Sequence, residues 1–165
     1  GTLTVMVGGN VQGYEHALPA MRAFGKLIKH VGESGAGFAV KAVNNMLMAV
    51  NLCAVAEGFT TLKAHGVNLH EALDCINASS GKSMVTETVL PQRILNRSFP
   101  VTFALPLLAK DTGIAIDLAR EAKLSAPVLS LTQNLIQAAS DLSDKNSDFS
   151  SAVKMYESWS NITIE

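Results

Sequence analysis

Lys41 and Asn45 stand four residues apart in the run GESGAGFAVKAVNNM (Gly32–Met46). On a helix that spacing sets an ammonium and a carboxamide on one face. Their neighbours Phe38, Val40, Val43 and Leu47 are apolar. Polar groups in such surroundings must be paired, or they are costly. The pair makes a donor-rich spot suited to an oxygen-bearing ligand. Held out of water, the amine would be tuned for proton exchange near neutrality. The alternative is a lysine that lays its stem along a helix rim and keeps its head in water. Asn44 lies about 100° round the helix from Asn45. It and Asn51 read as amides paired with a neighbouring helix or backbone. A second charged pair, Lys110–Asp111 in LLAKD, opens a later helix and by itself reads as a solvated ion pair. The glycines Gly32, Gly35 and Gly37 form G-x-x-G-x-G, not the dinucleotide fingerprint, and no acidic residue about twenty positions on closes a second strand. An interdomain joint with close backbone packing fits them better than a phosphate cradle.

These residues need a scaffold, and the text supplies one in two styles. TLTVMVGG (Thr2–Gly9) is strand chemistry closed by glycines. YEHALPAMRAFG (Tyr14–Gly25) has helical spacing, with Pro19 expected in an early turn. KLIKHVG (Lys26–Gly32) reads as a second strand. Strand, helix, strand makes a βαβ-like unit, which cannot bury both faces of its strands alone. Residues 1–31 therefore read as the last piece of a larger sheet.

From Ser34 to about Ala64 the chain lacks proline, and no charge falls between Ala42 and Ala56. That predicts a long central helix, buried on every side and closed by Gly66. Asn68 with Glu71 is a capping-box spacing for a helix from Leu69 to about Asn77. A short helix from Ser83 is expected to stop before Pro91. ASSGKS (Ala78–Ser83) is either a substrate-facing loop or a plain helix-breaking turn. A helix over Ala104–Ala122 tolerates Pro106 in its first turn, with a stripe of Leu107, Leu108, Ile114, Leu118 and Ala122. Further helices start at Pro127 and at Phe149. The fold class is mainly α, after a short strand-helix-strand segment.

The chain's 165 residues suffice for one domain with a core. With 48% hydrophobic and 16% charged residues it is not a disordered tail. A net charge of -1 and sparse aromatics argue against nucleic acid. No uninterrupted apolar run reaches about 18 residues, so no membrane span is expected. No signal peptide is recognised, and Gly1 in place of an initiator methionine points to a piece of a longer protein. Cys53 and Cys75 read as buried thiols in a reducing compartment, with a disulfide as the alternative. No metal site is expected.

VGESGAGFAVKAVNN resembles the interdomain glycine run and catalytic-lysine helix of the β-hydroxyacid dehydrogenases, which include 3-hydroxyisobutyrate dehydrogenase and tartronate semialdehyde reductase. TLTVMVGG resembles their last nucleotide-domain strand, LLAKD their Lys-Asp pair, and DFSSAVKMYE their C-terminal D-x-S helix. The resemblance runs in order over essentially the whole chain. It implies an all-helical domain of the 6-phosphogluconate-dehydrogenase C-terminal type over residues 32–165, with residues 1–31 the end of an NAD(P)-binding Rossmann domain. It implies oxidation of a β-hydroxyacid, or reduction of the semialdehyde, with NAD or NADP. By position, Lys41 matches the proton-exchanging lysine and Asn45 the substrate-orienting amide. Lys110 matches the lysine that reaches the cofactor, Asp111 the neighbouring acid at the substrate, and Phe103 an aromatic bordering it. The chain alone is expected to be inactive, because most of the cofactor site lies upstream. A homodimer or homotetramer in the cytoplasm is expected, or in a mitochondrion or plastid if eukaryotic. Met84 stands where many relatives carry tryptophan, which leaves the substrate's size open. The rival reading is a non-catalytic helical dimerisation module.

Overall fold

A computed structural model describes residues 1–165. The chain forms two compact units, Gly1–Asn44 and Asn45–Glu165.

The first unit holds two parallel strands, β1 (Leu3–Gly8) and β2 (Gly25–Gly32), joined by helix α1 (Val11–Met21). Val5 pairs with Ile28 and Gly8 with Gly32, so the strands expected near the N-terminus pair with each other. The helix begins earlier than its apolar spacing implied. Asn10 caps it, its side chain accepting from Gly13 N–H at 2.7 Å. Pro19 therefore falls in the closing turns of α1, not in an early one. Having no N–H, Pro19 leaves the Glu15 carbonyl without its i→i−4 donor, one bond near the end of the helix. The glycine run serves packing: a Cβ at Gly37 would collide with the carbonyl oxygen of Met6. Gly35 turns the chain at φ +94° just before the next helix.

Helix α2 spans Ala36–Ala64. Composition made it a helix buried all round, but the structure gives it one buried face. Asn45, Met46, Ala49, Leu52, Cys53, Ala56 and Phe59 recur at helical spacing and are inside. Val43 and Leu47 are exposed, as is Phe38 at 82%. By length and composition α2 is apolar enough to cross a membrane, although its runs are individually short. One face of it lines the core, and the rest is partly or fully exposed. The helix ends where Gly66 adopts φ +74° and Val67 N–H returns to the Leu62 carbonyl.

Around this face pack α3 (Leu69–Asn77), a π-helix (Val85–Ile94), α4 (Leu105–Glu121), α5 (Pro127–Asp141), a 3₁₀ turn (Phe149–Ala152) and α6 (Val153–Ser160). Asn68 caps α3 by accepting from His70 and Glu71 N–H. The helix from Ser83 does not stop before Pro91. It widens to π geometry and carries Pro91 in its interior. In an i→i−5 ladder Pro91 lacks only the bond to the Thr86 carbonyl. Asn77 Nδ2 donates to that oxygen instead, at 3.3 Å.

The buried face of α4 is Leu105, Leu108, Ala109, Thr112, Ala115 and Ile116. Leu107 and Ile114, expected inside, are exposed. Leu108 is inside as expected, with Leu105 and Ile116, and Ala109, Thr112 and Ala115 fill the face between them. Both cysteines are unpaired. Cys53 is buried, and burial pushes its thiol up. Cys75 is exposed, because it lies on the outer face of the amphipathic α3, opposite Leu69 and Leu73.

Candidate active site

Asn45 is 3% exposed and sits on the core face of α2. A buried carboxamide there must be paired, and its partner comes from α4. Asn45 Nδ2 donates to Asp111 Oδ2 at 2.6 Å. The other oxygen of the same carboxylate, Oδ1, is 3.0 Å from Lys110 Nζ. The Asp111 side chain is 13% exposed and that of Lys110 62%. The structure thus joins three of the five expected site residues in one chain of bonds that runs from the core to the surface. A carboxylate only accepts, so the NH₂ end of the Asn45 amide faces Asp111.

Proline at the first positions of α4 starts the helix, so Lys110 and Asp111 fall in its second turn. Lys41 lies one helical turn before Asn45 on α2. It is exposed, which corrects the expectation that its apolar neighbours hold it out of water. The reason is that Phe38, Val40, Val43 and Leu47 are themselves exposed in this chain. Asn51 keeps its expected backbone role, donating to the Leu47 carbonyl at 2.9 Å.

Phe103 is drawn into a different cluster. Half-buried, it packs on Phe149 with ring centroids 6.1 Å apart, and its carbonyl accepts from Phe149 N–H at 2.9 Å. The centre of that cluster is Asp148, whose importance the sequence showed only as the first letter of a D-x-S landmark. Its Oδ1 accepts from Ser150 Oγ at 2.6 Å and Ser150 N–H at 3.1 Å. Its Oδ2 accepts from Thr102 N–H at 2.9 Å and Phe103 N–H at 3.3 Å. Arg93 Nη1 bridges both oxygens at 3.2 Å. Burial alone would raise this carboxyl, but the bonds from Ser150, Thr102 and Phe103 outweigh it and hold it below the ordinary value. A second ion pair, Arg97 with Glu157, fixes the C-terminal segment through Ile164 N–H at 2.8 Å from Glu157 Oε1. Neither arginine carried a local signal, since their partners lie 55 and 60 residues away.

Residues 35–156 match the family model described as the NAD-binding domain of NADP-dependent 3-hydroxyisobutyrate dehydrogenase. Among curated proteins, the chain is 30% identical over 164 residues to 2-(hydroxymethyl)glutarate dehydrogenase of Eubacterium barkeri, covering 99% of this chain and 54% of that protein. It is 32% identical over 163 residues to the NAD-dependent L-serine dehydrogenase of Pseudomonas aeruginosa, covering 95% and 55%. Its fold resembles that of Mycobacterium tuberculosis 3-hydroxyisobutyrate dehydrogenase, solved with L-serine, at a TM-score of 0.84 and 28% identity over 92% of this chain and 55% of that one. The chain spans about half the length of the curated relatives it matches. A helix-rich chain with a small parallel sheet and a match over most of its length belongs to the NAD-binding family of the 3-hydroxyisobutyrate dehydrogenases.

Proposed function

We propose that residues 32–165 are the helical substrate domain of an NAD(P)-dependent β-hydroxyacid dehydrogenase, of the 6-phosphogluconate-dehydrogenase C-terminal type, and that residues 1–31 end its Rossmann domain. The observation that carries this reading is the bonded set Asn45–Asp111–Lys110, one helical turn from Lys41. These are the positions at which the resemblance puts the reacting groups.

The residues fit a dinucleotide. Lys110 offers an exposed ammonium, backed by Asp111, to an anionic ligand. When bound, NAD or NADP supplies the hydride acceptor. Lys41 takes the proton from the substrate hydroxyl as the carbonyl forms. In the reverse direction its ammonium stabilises the developing alkoxide and returns the proton. By the resemblance Phe103 borders the substrate, from a ring that packs on Phe149. The exposed state of Lys41 in this chain fits a group that another part of the protein covers. The substrate is a small β-hydroxyacid or its semialdehyde, and this chain by itself does not turn over.

The test uses the full-length protein with a panel of β-hydroxyacids and both nucleotides. Lys41→Ala is expected to lower kcat by about 10²-fold or more, the scale of a general acid–base group. A near-normal kcat removes Lys41 from the mechanism, and turnover by the 165-residue chain alone removes the claim of inactivity. A second reading, self-association through a helical face, is favoured by the exposed Val40, Val43 and Leu47, which share one side of α2. It is compatible with the first. Sedimentation of Val43→Ser and Leu47→Ser variants checks it, with dissociation expected.

A further inference from the structure

The proposed role of Asn45 is to orient substrate, yet its amide is buried and donates from its NH₂ group to Asp111. Both oxygens of Asp111 already have donors, Asn45 on Oδ2 and Lys110 on Oδ1. An anionic neighbour, such as a substrate carboxylate, would be repelled by that acid. The bonds run in one direction of decreasing burial: a fixed amide in the core, a mostly covered carboxylate, and an exposed ammonium. A lysine side chain is otherwise free to sample many rotamers, and ordering it costs entropy. An acid that is itself pinned by a buried amide removes part of that cost before any ligand arrives.

We infer that Asn45 and Asp111 are positioning residues for the Lys110 ammonium, so that Asn45 acts on dinucleotide binding through Asp111 and Lys110. This rests on the cofactor role proposed for Lys110. It differs from a substrate contact in one measurable way: its effect is present with no substrate bound.

In the full-length protein, the dissociation constants of NADH and NADPH are measured by fluorescence titration without substrate. The variants are Asn45→Ala, Lys110→Ala and the double variant. Each single change is expected to weaken the preferred nucleotide by about five- to tenfold, the scale of one net hydrogen bond. The double variant is expected to be no weaker than Lys110→Ala, because both changes remove the same interaction. Unchanged nucleotide affinity in Asn45→Ala, with only the substrate KM raised, overturns the inference. So does additive weakening, which is what loss of packing alone would give. If Asn45→Ala does not fold, Asp111→Asn replaces it in the same cycle with the same expectation. A wild-type protein that binds neither nucleotide overturns the cofactor reading and this inference together. A wild-type protein that binds, with variants equal to it, overturns this inference alone.

Discussion

Two aspartates in the helical unit are both paired with a basic side chain, but they are built differently. Asp148 has a fully buried side chain, and five donor groups besides Arg93 converge on it. Arg93 comes from the π-helix and the others from the segment before α4 and the 3₁₀ turn, so one carboxylate ties three elements. Asp111 has two donors, and one of them belongs to an exposed lysine. Saturation on all sides makes an acid an anchor, because nothing can approach it and losing it orphans many groups. Partial saturation at a surface leaves an acid able to direct a neighbour. The same residue type thus serves stability in one place and, as proposed here, ligand binding in the other.

The largest test of that contrast is Asp148→Ala. Removing one partner of a buried, hydrogen-bonded pair is expected to cost about 3 kcal/mol of unfolding free energy. Asp111→Ala should cost only about 1 kcal/mol, since its ion pair is exposed and one amide bond is lost. Chemical denaturation measures both, and equal losses would erase the distinction. The activity of the full-length protein should order the two differently once stability is matched by temperature.

Acid sharpens the comparison further. The folded Asp148 carboxyl lies below its ordinary value, so in acid the unfolded chain binds the proton more readily. The stability it contributes is fully present above its unfolded value of about 3.9 and is lost as pH falls through the lowered folded value. Asp148→Asn is expected to flatten the fall in stability below about pH 4. A fall as steep as that of the wild type would show that other carboxylates carry it.

The sequence made the anchors of regular structure visible because they act locally. Asn68 with Glu71, Gly66, Pro106 and Pro127 each marked an end that the structure keeps. It also marked Lys41, Asn45, Lys110 and Asp111, three of which the fold bonds together. It did not show the Asp148 cluster, whose donors are gathered from far along the chain by packing. It overstated the burial of Lys41, because apolar neighbours say what a position prefers, not whether this stretch of chain covers it. It misplaced part of the inner face of α4: Leu108 is inside, but Leu107 and Ile114 are exposed and Ala109, Thr112 and Ala115 take the core side. And it halted a helix at Pro91, reasoning from an α-helical ladder that the chain does not keep.

That last departure gives the smallest prediction, and it moves the comparison from carboxylates to a single backbone oxygen. The Thr86 carbonyl is the acceptor that Pro91 cannot serve in a π ladder, and Asn77 Nδ2 stands in for the missing donor. Asn77→Ala should therefore cost about 1 kcal/mol, the net worth of one such hydrogen bond. In a Pro91→Ala background residue 91 regains an N–H able to reach the same oxygen. The loss on Asn77→Ala should then shrink, so that the two changes are not additive. A double-mutant cycle by urea denaturation reads the coupling. If the cost of Asn77→Ala is the same in both backgrounds, the amide is not substituting for the proline, and the widening of this helix needs another cause.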